Sequence, residues 1–156
     1  MKDISLISDN QAEAGVVATL VRHPDFILYT DYLRPKYFYN TENGCMYWAI
    51  QQLYKNGVTT IDAINLMNML SSNKAVQREI DKYNLTNIQK FIDMSQYAVR
   101  HTIEEYKLLV NTVVTLAFKR DLYNVADEIE ASCFNSEYDL NQLNSLVNKK
   151  INKLTE

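Results

Sequence analysis

The sequence predicts an all-α protein: a compact multi-helix globule followed by a long antiparallel helical hairpin. Three observations predict it. Helix breakers are scarce, with three Gly and two Pro in 156 residues, which favours long helices over many short strands and turns. Apolar residues recur at three- and four-residue steps, the spacing of one helix face, and no stretch shows the alternation of a strand. From Thr102 to Phe134 there is neither Gly nor Pro. A helix of that length reaches roughly 45 Å at about 1.5 Å per residue, longer than a small core needs. A hydrophobic share of 47% with 22% charged residues is ordinary for a globular chain, and the length suffices for a core without disulfides or metal. The expected division is a flexible lead-in over 1–9, a globule over 10–100 and a hairpin over 101–156.

Each element has its own signal. Ser8, Asp9 or Asn10 is placed to cap the first helix, and Asn10 with Glu13 has capping-box spacing. Ala14, Val17, Ala18 and Val21 form its stripe, and Pro24 ends it. Asp25 opens a short helix that breaks at Pro35. The central helix, over about 41–56, starts from Asn40, Thr41 or Asn43. Its apolar face is Met46, Tyr47, Ala49, Ile50, Leu53 and Tyr54, and Gly57 stops it as a left-handed residue. Thr59 with Asp62 reads as the box for a helix over 60–70, with Ile61, Ile64, Leu66, Met67 and Leu70 as its stripe. A polar surface helix carrying Val76, Ile80 and Tyr83 follows. Residues 86–97 give another short helix, with Ile88, Phe91, Ile92 and Met94.

The second half is built differently. Tyr106, Leu109, Val110, Val113, Leu116 and Ala117 begin a long stripe that Leu122, Val125, Ala126, Ile129 and Cys133 continue. Ser136 with Asp139 reads as the box opening a last helix. There Leu140, Leu143, Val147, Ile151 and Leu154 repeat at steps of 3, 4, 4 and 3, a narrow coiled-coil-like seam. A two-helix hairpin alone leaves much of that stripe uncovered, so a second copy of the chain is expected to cover it. Val113, Leu122, Ile129, Leu140, Leu143, Val147 and Ile151 are the self-association candidates.

Signals for chemistry are absent. No phosphate-binding glycine loop, dinucleotide fingerprint or nucleophile elbow is present. His23 and His101 lack partners at metal-ligand spacing; His23 reads as a solvated residue in a helix's last turn. Glu104 and Glu105 suit a helix start, and Lys149, Lys150 and Lys153 a solvated helix end. Trp48 suits either the core or an interface. The net charge of −3 gives no footprint for strong direct nucleic-acid binding. Cys45 and Cys133 are far apart and read as buried free thiols in a reducing compartment. With no signal-peptide pattern and no membrane span, a cytoplasmic protein is expected.

The order and spacing of these pieces resemble the N-terminal domain of DnaB-like replicative DNA helicases. Ala12-Glu13 through Val16-Val17 to Pro24 follows the family's first helix. Phe38-Tyr39, Met46-Tyr47, Ala49-Ile50, Leu53 and Gly57 stand in register with its central motif. Ile61-Asp62, Leu66 and Leu70 follow the next helix, and Tyr106 with Arg120-Asp121-Leu122 the long one. Asn43-Gly44 replaces the family's His-Arg pair, Ala18 its first-helix Gly, and Asn87 through Phe91-Ile92 a degraded Gly-Gly element. The resemblance implies a non-catalytic module that self-associates as a dimer, or as a hexamer built as a trimer of dimers. It implies binding to the helicase-binding domain of primase and to a helicase loader. ATP and Mg2+ would belong to a separate RecA-like domain, so no cofactor is expected in this chain. Glu13 lies where family members contact primase, and Lys119, Arg120 and Tyr123 are further partner-contact candidates. Two other readings are a primase helicase-binding domain, which shares the globule-plus-hairpin shape, and a phage or plasmid replication adaptor imitating the helicase domain. The end of the chain within or just after a helix suggests a domain cut from a longer protein, or a protein that kept only this domain.

Overall fold

The structure, a computed structural model, describes residues 2–83 and 88–155. Asn87 and the expected helix start at 86 lie outside the described residues, as do the side chains of Tyr83 and Met94. Among the described residues seven α-helices follow in order: α1 Asn10–Arg22, α2 Thr41–Lys55, α3 Ala63–Ser71, α4 Lys74–Tyr83, α5 Ile88–Ser95, α6 Ile103–Ser132 and α7 Leu140–Leu154. Short 3-10 turns cover Ile4–Leu6, Pro24–Tyr29 and Pro35–Tyr37. No strand occurs among the described residues.

The globule is organised around α1 rather than α2. Every residue from Gly15 to Val21 is buried, so α1 is covered on all sides, as a helix apolar all round must be. It packs against α2, α5 and the root of α6. The α6 contact is close: a Cβ on Gly15 would stand 2.8 Å from Leu109 Cδ1. Buried Thr19 adds a polar tie, its Oγ1 accepting from Arg100 N–H at 2.9 Å. α2 contributes Met46, Tyr47, Ala49, Ile50 and Leu53 to the core. Gly57, at φ 85°, stops α2 in the left-handed region, and Val58 N–H closes back on the Leu53 carbonyl at 3.0 Å.

Several caps differ from the sequence reading. Asp9, one of the three candidates, does cap α1, accepting from Ala12 N–H, but Asn10 lies inside the helix and makes no box with Glu13, whose carboxylate accepts from Tyr39 and Asn40 N–H instead. Residues 24–29 form a 3-10 turn with Pro24 at its start, not a helix capped by Asp25. Phe26 and Ile27 anchor it inward, and the Thr30 hydroxyl is held by Tyr106 Oη at 2.7 Å. Asp62 is itself the cap of α3, in a box with Asn65, and Asp139 caps α7 in a box with Gln142. In α3 Leu66 and Leu70 are buried and Ala63 and Met69 pack partly against the core, while Ile64 and Met67 are exposed. His23 is half-buried, stacked on Phe26 at 4.8 Å with His101 edge-on at 6.2 Å. Trp48 is partly buried against the core.

Candidate interaction face on the helical hairpin

The root of α6 belongs to the globule. Tyr106, Val110, Val113 and Ala117 are buried, so Val113 belongs to the core of the globule and offers nothing to a second copy. The root ends at Arg120, a partner-contact candidate under the family resemblance. The structure buries it to 8% exposure. Its Nη1 donates to the Ile7 carbonyl at 2.7 Å and its Nη2 to the Tyr37 carbonyl at 2.8 Å. The guanidinium also lies 5.3 Å from the Tyr39 ring centroid, a favourable cation–π distance. The lead-in before α1 is thus tied to the hairpin.

Glu13 grips the same connector from the other side. It is 2% exposed, and its two carboxylate oxygens accept from Tyr39 N–H at 2.9 Å and Asn40 N–H at 3.0 Å. Hydrogen bonds to a charged acceptor are the stronger kind, so Glu13 fixes the entry to α2 from inside the fold. Lys119 is exposed. Tyr123 is half-exposed, with its hydroxyl 3.4 Å from the Lys2 carbonyl.

Beyond Arg120, α7 packs along α6. Leu143, Val147 and Leu154 are half-buried against it, joined by Leu146, which the seam omitted. Lys150 Nζ meets Glu128 Oε2 at 2.5 Å; both are solvent-accessible, and such a pair contributes at most about 1 kcal/mol. The two other seam residues turn outward, Leu140 at 73% and Ile151 at 49% exposure. They are eleven residues apart, about three helical turns, near the two ends of α7. On α6, Phe118 and Leu122 are also exposed and Ile129 is half-exposed. Cys133 is exposed rather than buried, because the far end of α6 stands clear of the globule. Cys45 is half-buried in α2, and burial, with Glu79 and Glu42 nearby, pushes its thiol up.

Charge is segregated along the hairpin. Between Asp121 and Asn148 the acidic residues are Asp121, Asp127, Glu128, Glu130, Glu137 and Asp139, with no Lys or Arg; Lys149, Lys150 and Lys153 then follow. No group of side chains suited to hold a metal occurs among the described residues. No helix among them is long and apolar enough to cross a membrane. What the arrangement offers is an open, partly apolar hairpin face with charged ends.

Residues 5–106 match the family described as the DnaB-like helicase N terminal domain. The replicative DNA helicase DnaB of Rickettsia conorii (strain ATCC VR-613 / Malish 7) is 25% identical over 136 residues, 86% of this chain and 26% of that protein. The chain therefore spans about a quarter of that relative's length. The crystal structure of the N-terminal domain of DnaB helicase from Mycobacterium tuberculosis has the same fold. It matches with a TM-score of 0.69 at 20% identity, over 94% of this chain and 97% of that one.

Proposed function

The chain belongs to the family of DnaB-like helicase N-terminal domains, a non-catalytic module, and from that premise we propose that it builds and presents the N-terminal tier of a hexameric replicative helicase during DNA replication. In this reading the hairpin joins subunits, as a dimer or as a trimer of dimers, and the assembled tier receives the helicase-binding domain of primase and a loader. Lys119 and Tyr123, at the accessible root of the hairpin, are the partner-contact candidates; Glu13 and Arg120 serve by holding the fold beneath them. The reading assigns ATP and Mg2+ to a separate RecA-like domain. The family match favours the helicase side over the primase helicase-binding domain of similar shape.

The observation that carries the proposal is the apolar hairpin face its own chain leaves open, with Leu122 at 47% and Ile151 at 49% exposure. Light scattering on a sizing column across a concentration series tests it. A dimer or larger species is expected. Leu122→Asp with Ile151→Asp should yield monomers that keep full helicity and a cooperative melt, since neither side chain belongs to the core. A wild-type chain that stays monomeric at high concentration would sink the reading.

A further inference from the structure

A cleft of about 360 Å³ lies between the Pro35–Tyr37 turn, the middle of α6 and the last turns of α7, a volume within the range of small-molecule sites. Neither Leu122 nor Ile151, the residues that carry the self-association reading, lines it. We propose that this cleft binds a guanine nucleotide, with the phosphates toward its lysines and the base toward α6.

The lining carries both signs of charge. Lys36 enters from the turn, Lys150 and Lys153 from α7, and Asp121, Asn124 and Glu128 from α6. Lys150 and Glu128 are already paired with each other. Arg120, which also lines the cleft, is held by the Ile7 and Tyr37 carbonyls. Two exposed ammonium groups remain, Lys36 and Lys153, and one exposed carboxylate, Asp121; none of the three has an oppositely charged partner among the described residues.

A ligand for this cleft has to satisfy both signs at once. Free phosphate or an acidic peptide suits the lysines, but Asp121 and Glu128 repel it. A cation suits Asp121, but the lysines repel it. A nucleotide separates the two demands, because its phosphates are anionic and its base is neutral. Of the bases, guanine meets a carboxylate best. Its N1–H and its N2 amine are adjacent donors on one edge, the fork that a carboxylate accepts in two parallel hydrogen bonds. Adenine sets a ring-nitrogen lone pair beside its amine on that edge and opposes the carboxylate. Asn124 stands three residues after Asp121, on the same side of α6, and its amide can donate to the guanine O6. Half-buried Tyr37, Val125 and Leu154 supply apolar cover for the base. Lys36 lies 5.9 Å from the Tyr37 ring centroid, so the cationic and aromatic parts of the lining adjoin. A nucleotide held here touches the turn and α7 together and steadies the end of the hairpin against the globule.

Titration calorimetry of the chain with GDP, without added divalent metal, is the first test. GDP should bind at least tenfold more tightly than ADP or pyrophosphate. Lys36→Ala with Lys153→Ala should weaken GDP at least tenfold and leave the melt of the unliganded chain unchanged, since both side chains are exposed. Asp121→Asn should lose at least tenfold for GDP and gain affinity for xanthosine diphosphate, whose C2 carbonyl accepts from the new amide where the guanine amine had donated. A variant that had merely lost its fold would gain nothing. Amide hydrogen exchange fixes the place: GDP should slow residues 35–37 and 150–154 and leave α3 and α4 unaltered. No binding of GDP at millimolar concentration, pyrophosphate binding as tightly as GDP, or an Asp121→Asn chain without the switch each overturns the proposal. None of these readouts depends on the oligomeric state, so such a failure leaves the self-association reading standing.

Discussion

Buried polar side chains at single positions set how the fold responds to solvent. Tyr106 is fully buried with its hydroxyl 2.7 Å from Thr30 Oγ1, and Tyr47 is fully buried and donates to the Leu33 carbonyl at 3.3 Å. Burial pushes both phenols up from 10.0, Tyr47 to about 12 and Tyr106 further. In the unfolded chain both release their protons near pH 10, while the folded chain retains them. Their contribution is therefore complete below about pH 10 and is lost as pH rises from there through the folded values. The slope is at most about 1.4 kcal/mol per pH unit for each tyrosine. Urea melts across pH 9 to 12 should show that decline, and Tyr106→Phe should flatten it. At neutral pH the same change should cost about 1 kcal/mol, because Thr30 loses a buried partner. A Tyr106→Phe chain with an unaltered alkaline slope would contradict this account.

At the scale of elements, the α1–α6 crossing depends on the missing side chain of Gly15. Its nearest obstacle is the far end of Leu109, which has room to rotate because Leu109 is only half-buried. Alanine there gains about 1 kcal/mol of helix propensity and displaces one methyl, so Gly15→Ala should stay within about 1 kcal/mol of the native chain. Gly15→Val forces the helices apart and should cost about 1–3 kcal/mol, read from urea midpoints. Helix existence was legible at this scale, since periodicity and the lack of breakers located α1, α2, α6 and α7. The caps were less so. At Thr59-Asp62 and again at Ser136-Asp139, the first residue of an apparent box lost to the second. An aspartate followed three residues later by an amide, Asn65 or Gln142, closes its own box. The 3-10 turn after Pro24 was misread because its anchor, Tyr106, lies 76 residues away.

For the whole molecule, the globule is the part most legible in the sequence. The family match ends at Tyr106, so nearly all of the candidate face lies beyond it. Apolar spacing marked the hairpin as needing a cover, and Leu122, Leu140 and Ile151 are indeed outward. The same spacing could not tell Val113, which is buried in the core, from Leu122, which the globule does not reach. Nor could it reveal Glu13 and Arg120 as internal ties, because their partners are backbone groups, which carry no sequence signal. Arg120→Met should release that tie: amide hydrogen exchange over residues 2–8 and 37–40 should accelerate at least tenfold while α2 and α3 stay protected. Unchanged protection of both stretches would show that the guanidinium is dispensable.

That tie joins the first residues of the chain to a helix more than a hundred residues later in sequence. A fluorophore on the N-terminus therefore reports on the seating of the hairpin, although it is attached to neither hairpin helix.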